Sequence, residues 1–457
     1  MAHISRREFL SRAAKGAATV ALGTAAMSSA GPARAKSPND RIVMALMGAG
    51  GRGSQVIRSL GTHKDVELAW ICDVDAGRGN DLVAHFEKTR GKAPKKTQEL
   101  RRVLDDKDVD ALLVATPDHW HALATIWACQ AGKDVYVEKP PTHNIWEGRK
   151  MVEAARKYKR IVQVGTQGRS APYIINALKY IQEGKLGKIH LCKVFNFKPG
   201  YRFTCESDSE QPKGVDYDAW LGPVPKRPFN RSHFHNGWHN FWAYCGGEIT
   251  DDGIHQVDIA RWLIGKDWPK AVHCSGGRFA YDDKREVPDL EIMTFDYDDM
   301  VMTIEMTQFT PYMDKIAGKV REGDLLPYWP QCSTRIELYG TKGLMYVGRH
   351  GGGWQVFGRA KEQSGPGELI AQEYGRFPDP PHQQNFLDCI RSRKLPNADV
   401  EEGHRSAALL HMGNISLRVG CRRLQFDPKT ETFANDDEAN ALLKRGGRKP
   451  YEIPEQV

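Results

Sequence analysis

The sequence predicts an α/β domain followed by an α+β domain with a mostly antiparallel sheet. Three observations lead there. Between residues 41 and 165, five short apolar runs alternate with helical patterns, the order that builds a parallel sheet covered on both faces. From Lys188 onward the runs lengthen and fill with β-branched and aromatic residues, which suits antiparallel strands. Hydrophobic residues at 40% and 44 glycines in 457 positions suffice for ordinary folded cores and exclude disorder, collagen-like repeats and a small disulfide scaffold.

Residues 1–35 stand apart. Arg6, Arg7, Arg12, Lys15 and Arg34 against Glu8 give this segment +4 of the chain's +8. The remainder has no Lys/Arg run interleaved with aromatics, so nucleic acid is not an expected partner. Paired arginines in Ser5-Arg6-Arg7-Glu8-Phe9-Leu10 precede a weakly apolar stretch, Ala13 to Ala30, and then Ala33-Arg34-Ala35. This order resembles a twin-arginine export signal cleaved after Ala35, which implies a periplasmic or other extracytoplasmic protein. Lys15, Gly16 and Gly23 argue against a permanent span, and no other segment approaches about 20 apolar residues. The nine cysteines are widely spaced and contain no C-x-x-C. Most are expected to be small buried hydrophobes, and no zinc or redox motif is present.

The mature chain opens on a buried strand, Arg41–Met47, that runs into Gly48-Ala49-Gly50-Gly51-Arg52-Gly53. A helix follows through Val56, Ile57 and Leu60. A second strand, Val66–Cys72, ends at Asp73, 20 residues after Gly53. Together these are the parts of a Rossmann dinucleotide-binding unit. Gly48 permits the tight turn, Gly50 lets backbone approach a pyrophosphate, and Gly53 lets helix pack on strand. The helix N-terminus at Gly51 and Arg52 faces the anion. Asp73 is placed to accept from a ribose hydroxyl and to repel a 2′-phosphate. NAD is therefore the expected cofactor, although Arg52 and Arg78 leave NADP open. Strands at Val109–Ala115, Asp134–Val137 and Ile161–Val164 continue the alternation. Their carboxyl ends carry Thr116-Pro117-Asp118-His119-Trp120-His121 and Glu138-Lys139-Pro140-Pro141, where ligands sit in such sheets. Thr116, Pro117, His121, Glu138 and Lys139 join the cofactor-binding set on that ground.

Further strands are expected near 189–197, 271–281, 290–298, 301–309, 333–340 and 343–348, with helices near 382–392 and 402–418 packing back across both domains. The expected organisation is a signal peptide (1–35), a nucleotide domain (36–165), a substrate and oligomerisation domain (166–425) and a tail (426–457).

The motifs resemble those of the Gfo/Idh/MocA family of nicotinamide-dependent oxidoreductases over nearly the whole mature chain. The resemblance runs from the Gly-rich turn through Glu138-Lys139-Pro140 to Gly246-Gly247-Glu248-Ile249-Thr250-Asp251-Asp252-Gly253-Ile254-His255. The family's motif lysine falls on Lys139 and its D-x-x-x-H pattern on Asp251 and His255, while Glu248 stands where a third glycine is usual. The resemblance implies catalysis by Lys139, Asp251 and His255 on a carbohydrate or polyol, and self-association through the second sheet. From the residues themselves, Asp251 and His255 are i and i+4 on one expected helix and share a face. Lys139 beside an oxidised nicotinamide is expected to have a depressed pKa suited to proton exchange. His255 is the natural proton carrier and Asp251 its orienting partner.

Between Pro199 and Gly247 runs a Pro/Gly/Trp/His-rich stretch too long for a simple connection. Trp220, His235, Trp238, His239 and Trp242 in it suit the C–H faces and hydroxyls of a sugar, though the tryptophans serve equally as anchors. The H-x-H-x-x-x-H spacing lacks a completing carboxylate or Cys, so no metal is expected. A second loop, Pro311–Gln331, is expected over the pocket. Three functions fit these features. One is an exported sugar or polyol dehydrogenase with a cofactor loaded before export. Another is a redox-neutral NAD-dependent glycosidase, lyase or epimerase, and the third a non-catalytic sugar-binding protein.

Overall fold

Five of the six residues of β1 (Ile42–Met47) are buried, as a strand covered on both faces requires. In the computed structural model, which describes residues 41–314, 316–361 and 367–457, β1 is central to a parallel sheet. The expected signal peptide lies outside the described residues. The other strands are β2 (Val66–Cys72), β3 (Lys95–Thr97), β4 (Ala111–Val114), β5 (Asp134–Val137) and β6 (Val162–Val164). Their order is β3-β2-β1-β4-β5-β6, every neighbouring pair parallel. The helix Gly51–Leu60 buries Gly53, Val56, Ile57 and Leu60, the one-face spacing of an amphipathic helix. β3 escapes the sequence reading because it is three residues long and largely exposed.

The second sheet holds β7 (Ile189–Phe197), β8 (Ala271–Gly277), β9 (Leu290–Asp296), β10 (Val301–Thr307), β11 (Arg335–Gly340), β12 (Gly343–Gly348), β13 (Trp354–Ala360), β14 (Gly367–Glu373), β15 (Leu424–Asp427) and β16 (Thr432–Phe433). Its order is β14-β13-β12-β11-β7-β10-β9-β8-β15-β16. The pairing is antiparallel except for β7 with β10. Its inner face packs on the helices Pro172–Gln182, Gly253–Ile264 and Val400–Arg418 in one continuous core.

The helix Val400–Arg418 contacts both the helix Ile145–Lys157 and β8, so it spans the two domains as expected. The helix Asp379–Ser392 places Phe386, Leu387 and Cys389 in the core of the first sheet, and Tyr451, Ile453 and Val457 pack on that sheet's other face. All nine cysteines are free, and only Cys205 and Cys421 are not fully buried. No helix among the described residues is long and apolar enough to cross a membrane.

One ion cluster ties the tail to this framework. Glu431 accepts from His404 Nε2 at 3.1 Å and pairs with Arg149, which also reaches Glu401 at 3.1 Å. Burial pushes the Glu431 pKa up, but the His404 and Arg149 hydrogen bonds outweigh it and hold the carboxyl at about 2. A carboxylate whose folded pKa is depressed adds stability above its unfolded pKa and loses it as pH falls through the folded one. Unfolding midpoints should therefore drop between about pH 4.5 and pH 2, and Glu431→Gln should flatten that drop in urea titrations run across this range.

Candidate active site

The loop between β1 and its helix is shaped by steric limits that only glycine meets. Gly48 has φ +92, and a Cβ there would lie 2.6 Å from the Ala115 carbonyl oxygen. A Cβ on Gly53 would lie 2.0 Å from the Gly48 oxygen. The loop backbone is therefore pressed onto the end of β4, and Gly48, Gly50, Gly51 and Arg52 line a cavity of about 530 Å³, within the size range of ligand sites. Gly53 stays behind the wall as the packing glycine. Asp73, just past β2, lines the same cavity. Its carboxylate accepts from the Ala49 N–H at 2.7 Å and the Asp75 N–H at 2.9 Å, which fixes its rotamer. Burial raises its pKa, and these hydrogen bonds offset the effect only in part.

Thr116, Pro117, Glu138 and Lys139 also line the cavity, from the ends of β4 and β5. Arg52 turns from the open space to bind Glu138 (2.8 Å) and Asp379 (3.3 Å). His121 departs from expectation. It is buried outside the cavity, with its ring nitrogens 2.6 Å from the Pro140 oxygen and 2.8 Å from the Thr116 oxygen. It braces the two strand ends against each other.

Lys139 reaches across to the second domain, where Nζ donates to Asp251 Oδ1 (2.5 Å) and to the Asp251 carbonyl (2.6 Å). The other oxygen, Oδ2, lies 3.0 Å from His239 Nδ1. Burial alone would lower the Lys139 pKa, but the Asp251, Asp252 and Glu138 carboxylates raise it above the ordinary lysine value. Asp251 is pushed up by burial, yet the Lys139 charge and His239 hold it well below the usual carboxylate range. One expectation is corrected: the single helix expected to carry Asp251 and His255 on one face is broken. Asp251 ends the short helix Glu248–Asp251, and His255 sits in the next, Gly253–Ile264. At the break, Asp252 is held by Arg349 (2.7 Å) and Lys198 (3.2 Å). His255 is buried and does not line the cavity. Its pKa is lowered well below normal by burial, then by the Arg349 and Lys139 charges.

Glu248, the departure from the glycine run, is half-buried and paired with Lys198 at 2.5 Å, with Asn196 Nδ2 donating to the same oxygen. Burial raises its pKa, partly opposed by Lys198. Sequence reasoning missed Lys198, Arg349 and also Asp118. Asp118 is 1% exposed, lines the cavity and has one oxygen, Oδ2, without a hydrogen-bond partner. Burial and the neighbouring Asp251 charge raise its pKa well above a normal carboxyl. Its position directly after Thr116-Pro117 at a strand's carboxyl end was the available signal.

Of the expected substrate residues, Trp220, His235, Trp238 and His239 reach the cavity. Trp220 is mostly core, stacked on Tyr217 with ring centroids 5.5 Å apart inside an aromatic cluster of the 199–247 segment. His235 Nε2 lies 2.9 Å from Asp75 Oδ2. Trp238 stacks on His239 at 3.6 Å. Trp242 does not line the cavity. Arg418 lies over its ring at 5.2 Å, and His143 Nε2 is 2.8 Å from its carbonyl oxygen. The second loop is likewise corrected. No described residue of 311–331 lines the cavity, because Ile316, Val320 and Trp329 form their own cluster with Cys332. Among the described residues no His/Cys/Asp/Glu group could hold a metal ion.

Comparison with known proteins follows this geometry. The model of the oxidoreductase family's NAD-binding Rossmann fold (GFO_IDH_MocA) matches residues 42–166. Its companion C-terminal alpha/beta domain (GFO_IDH_MocA_C2) matches 178–328 and 365–453. The scyllo-inositol 2-dehydrogenase (NAD(+)) of Bacillus subtilis (strain 168) is 26% identical over 336 residues, covering 70% of this chain and 81% of that protein. Among solved structures, the WlbA dehydrogenase from Bordetella pertussis in complex with NADH and UDP-GlcNAcA has a TM-score of 0.59 at 23% identity. That match covers 85% of this chain and 99% of the other. Levoglucosan dehydrogenase in complex with NADH and levoglucosan has a TM-score of 0.60 at 17% identity, covering 84% and 99%.

Proposed function

We propose that this chain, which belongs to the Gfo/Idh/MocA oxidoreductase family, is an exported NAD-dependent dehydrogenase. It would interconvert a hydroxyl and a carbonyl on a sugar or polyol while keeping its cofactor bound. The observation that carries this reading is the Lys139–Asp251–His239 chain set in the cavity behind the glycine cradle. The residues fit a dinucleotide. A Cβ at Gly48 would collide with the Ala115 carbonyl and one at Gly53 with the Gly48 carbonyl, and Thr116 Oγ1 and Asp118 Oδ2 are buried without partners. Gly50 and Gly51 would meet the pyrophosphate and Asp73 a ribose. When bound, NAD supplies the hydride acceptor or donor.

The protein's own residues handle the proton. In the oxidative direction, the hydroxyl proton is taken at Lys139 Nζ once Lys139 has released its own proton, with Asp251 holding Nζ in place. His239, whose side chain is 39% exposed, carries the proton on to solvent. The reductive direction reverses each transfer. The raised Lys139 pKa opposes this release, and the positive charge of an oxidised nicotinamide would favour it. Buried Asp118 lines the cavity with its Oδ2 unpartnered. Trp238 offers an apolar face to a ring substrate, and His235 a polar edge.

Export rests on the order of features in residues 1–35, and scarcity of free NAD(H) outside the cytoplasm then favours a captive cofactor. The test uses mature protein from the exported fraction. Denaturation should release about one NAD(H) per chain. Mixing the holoprotein with a panel of inositols, anhydrosugars and hexoses should change the nicotinamide absorbance with at least one of them. An empty site with no response to added NAD and the panel would overturn the assignment. Recovery of Arg6→Lys/Arg7→Lys protein outside the cytoplasm at the parent level would overturn the twin-arginine route alone. Glycoside cleavage with no acceptor and no net oxidation would instead indicate redox-neutral chemistry.

A further inference from the structure

We infer that the C-terminal segment, residues 444–457, completes the cofactor site by building an aromatic slot for the adenine ring. The inference rests on the dinucleotide reading of the cavity and adds to it a wall that no glycine-loop motif would reveal. The sheet order sets the direction. Asp73 follows β2 and Leu100 follows β3 on one side, whereas Lys139 follows β5 on the other. With a ribose at Asp73 and the reacting end at Lys139, the base lies past Asp73, toward β3. There the cavity is walled by Leu100, Arg101 and Trp127 from the first domain, and by Pro450 and Tyr451 from the far end of the chain.

The side chains at this end are those that hold planar bases. Tyr451 meets Trp120 edge-on at 5.4 Å and tilts toward Trp127 at 6.4 Å and 34°. Arg101 sits 5.2 Å from the Trp127 ring and Arg448 4.8 Å from that of Tyr451. Aromatic and guanidinium planes of this kind stack on bases without reading their edges.

The segment is held at several points. Arg445 bonds Glu147 (2.6 Å) and the His119 carbonyl (2.6 Å) in the first domain. Arg448 donates to the carbonyls of Asp218 (2.7 Å) and Val224 (2.9 Å), both in the 199–247 segment. Val457 is buried and its carbonyl accepts from Lys157. The tail therefore fastens the 199–247 segment to the nucleotide domain while presenting Tyr451 to the cavity. Exchange of a bound dinucleotide would need this fastening to open, which gives a structural reason for a captive cofactor.

The test compares full-length mature protein, stripped of nucleotide, with its Tyr451→Ala and Tyr451→Phe variants. ADP serves as probe of the adenine end and nicotinamide mononucleotide as probe of the other. Loss of one stacking wall should weaken ADP roughly 5- to 100-fold in Tyr451→Ala, with mononucleotide affinity unchanged. Tyr451→Phe should match the parent, which separates the ring's role from a folding defect. Arg448→Gln should hasten NADH release after dilution, followed by its fluorescence. Parent-like ADP affinity in Tyr451→Ala would overturn the inference while leaving the dinucleotide reading intact. A parent protein that binds neither NAD nor ADP would overturn both.

Discussion

Replacing Lys139 with alanine should lower the rate of hydride transfer by about 10²- to 10⁴-fold, the range for losing a positioned proton-transfer group. Bound NAD should remain near the parent level. The split follows from where Lys139 stands. The glycine loop and Asp73 are built by β1 and β2, whereas Lys139 projects from β5 onto Asp251 in the other domain. Lys139→Arg should not rescue the rate. A guanidinium can satisfy Asp251 but does not release a proton near neutral pH. Single-turnover reduction of the bound cofactor with an active sugar or polyol is the measurement. If Lys139→Ala keeps its rate within a few-fold, the residue is only a tie between the domains. Its bond to Asp251 would then be worth reading as structure alone.

Arg169→Ala should destabilise the protein by about 3–5 kcal/mol, because it leaves a buried carboxylate without its cation. Arg169 Nε lies 2.9 Å from Asp258, the two side chains being 4% and 1% exposed, and its Nη2 lies 3.1 Å from Glu402. Ser406 donates to the same Asp258 at 2.7 Å, and Arg261 Nε donates to Ser406 at 3.0 Å. This network joins the turn after β6, the helix Gly253–Ile264 and the helix Val400–Arg418. Removing one member strands the others. A paired Arg169→Met/Asp258→Leu replacement should cost much less than the single change, since it removes the unpaired charge and not just its partner. Urea unfolding of both variants decides this. A single-site loss under about 1 kcal/mol would show that Asp258 finds other compensation.

Most of the fold was legible because its determinants are local. The apolar runs of β1, β2 and β5 lie between turn residues, and β7 and β12 keep a strand's composition along their length. The bounds expected for β2, β5, β7 and β12 coincide with those observed. β13 and β14 were missed for a physical reason. They form an edge whose last strand is wholly exposed or half-buried, so no apolar alternation marks it. Within the run Gly48 to Gly53, steric collision with a neighbouring backbone leaves glycine alone acceptable at Gly48 and Gly53.

The site was legible as a set of residues and not as an arrangement. Lys139 and Asp251 were expected in one place and do meet. The partner of Asp251 is His239 from the aromatic segment, because the helix breaks at Asp252 where Arg349 and Lys198 hold it. Asp118 is an unremarkable acid in the sequence, and only enclosure beside Asp251 raises its pKa. Tyr451 is distant in sequence from the cavity that it walls. By itself the sequence determined the alternating first domain, most strands of the second sheet, the glycine turn with its acid, and the residue types available for proton transfer. These depend on periodicity, on backbone sterics and on chemistry carried by single side chains. Only the tertiary structure decided which histidine faces Asp251, which carboxyls stay charged and which distant segments close the cavity. Those outcomes depend on burial and on distances between groups, which exist only after the chain has closed on itself.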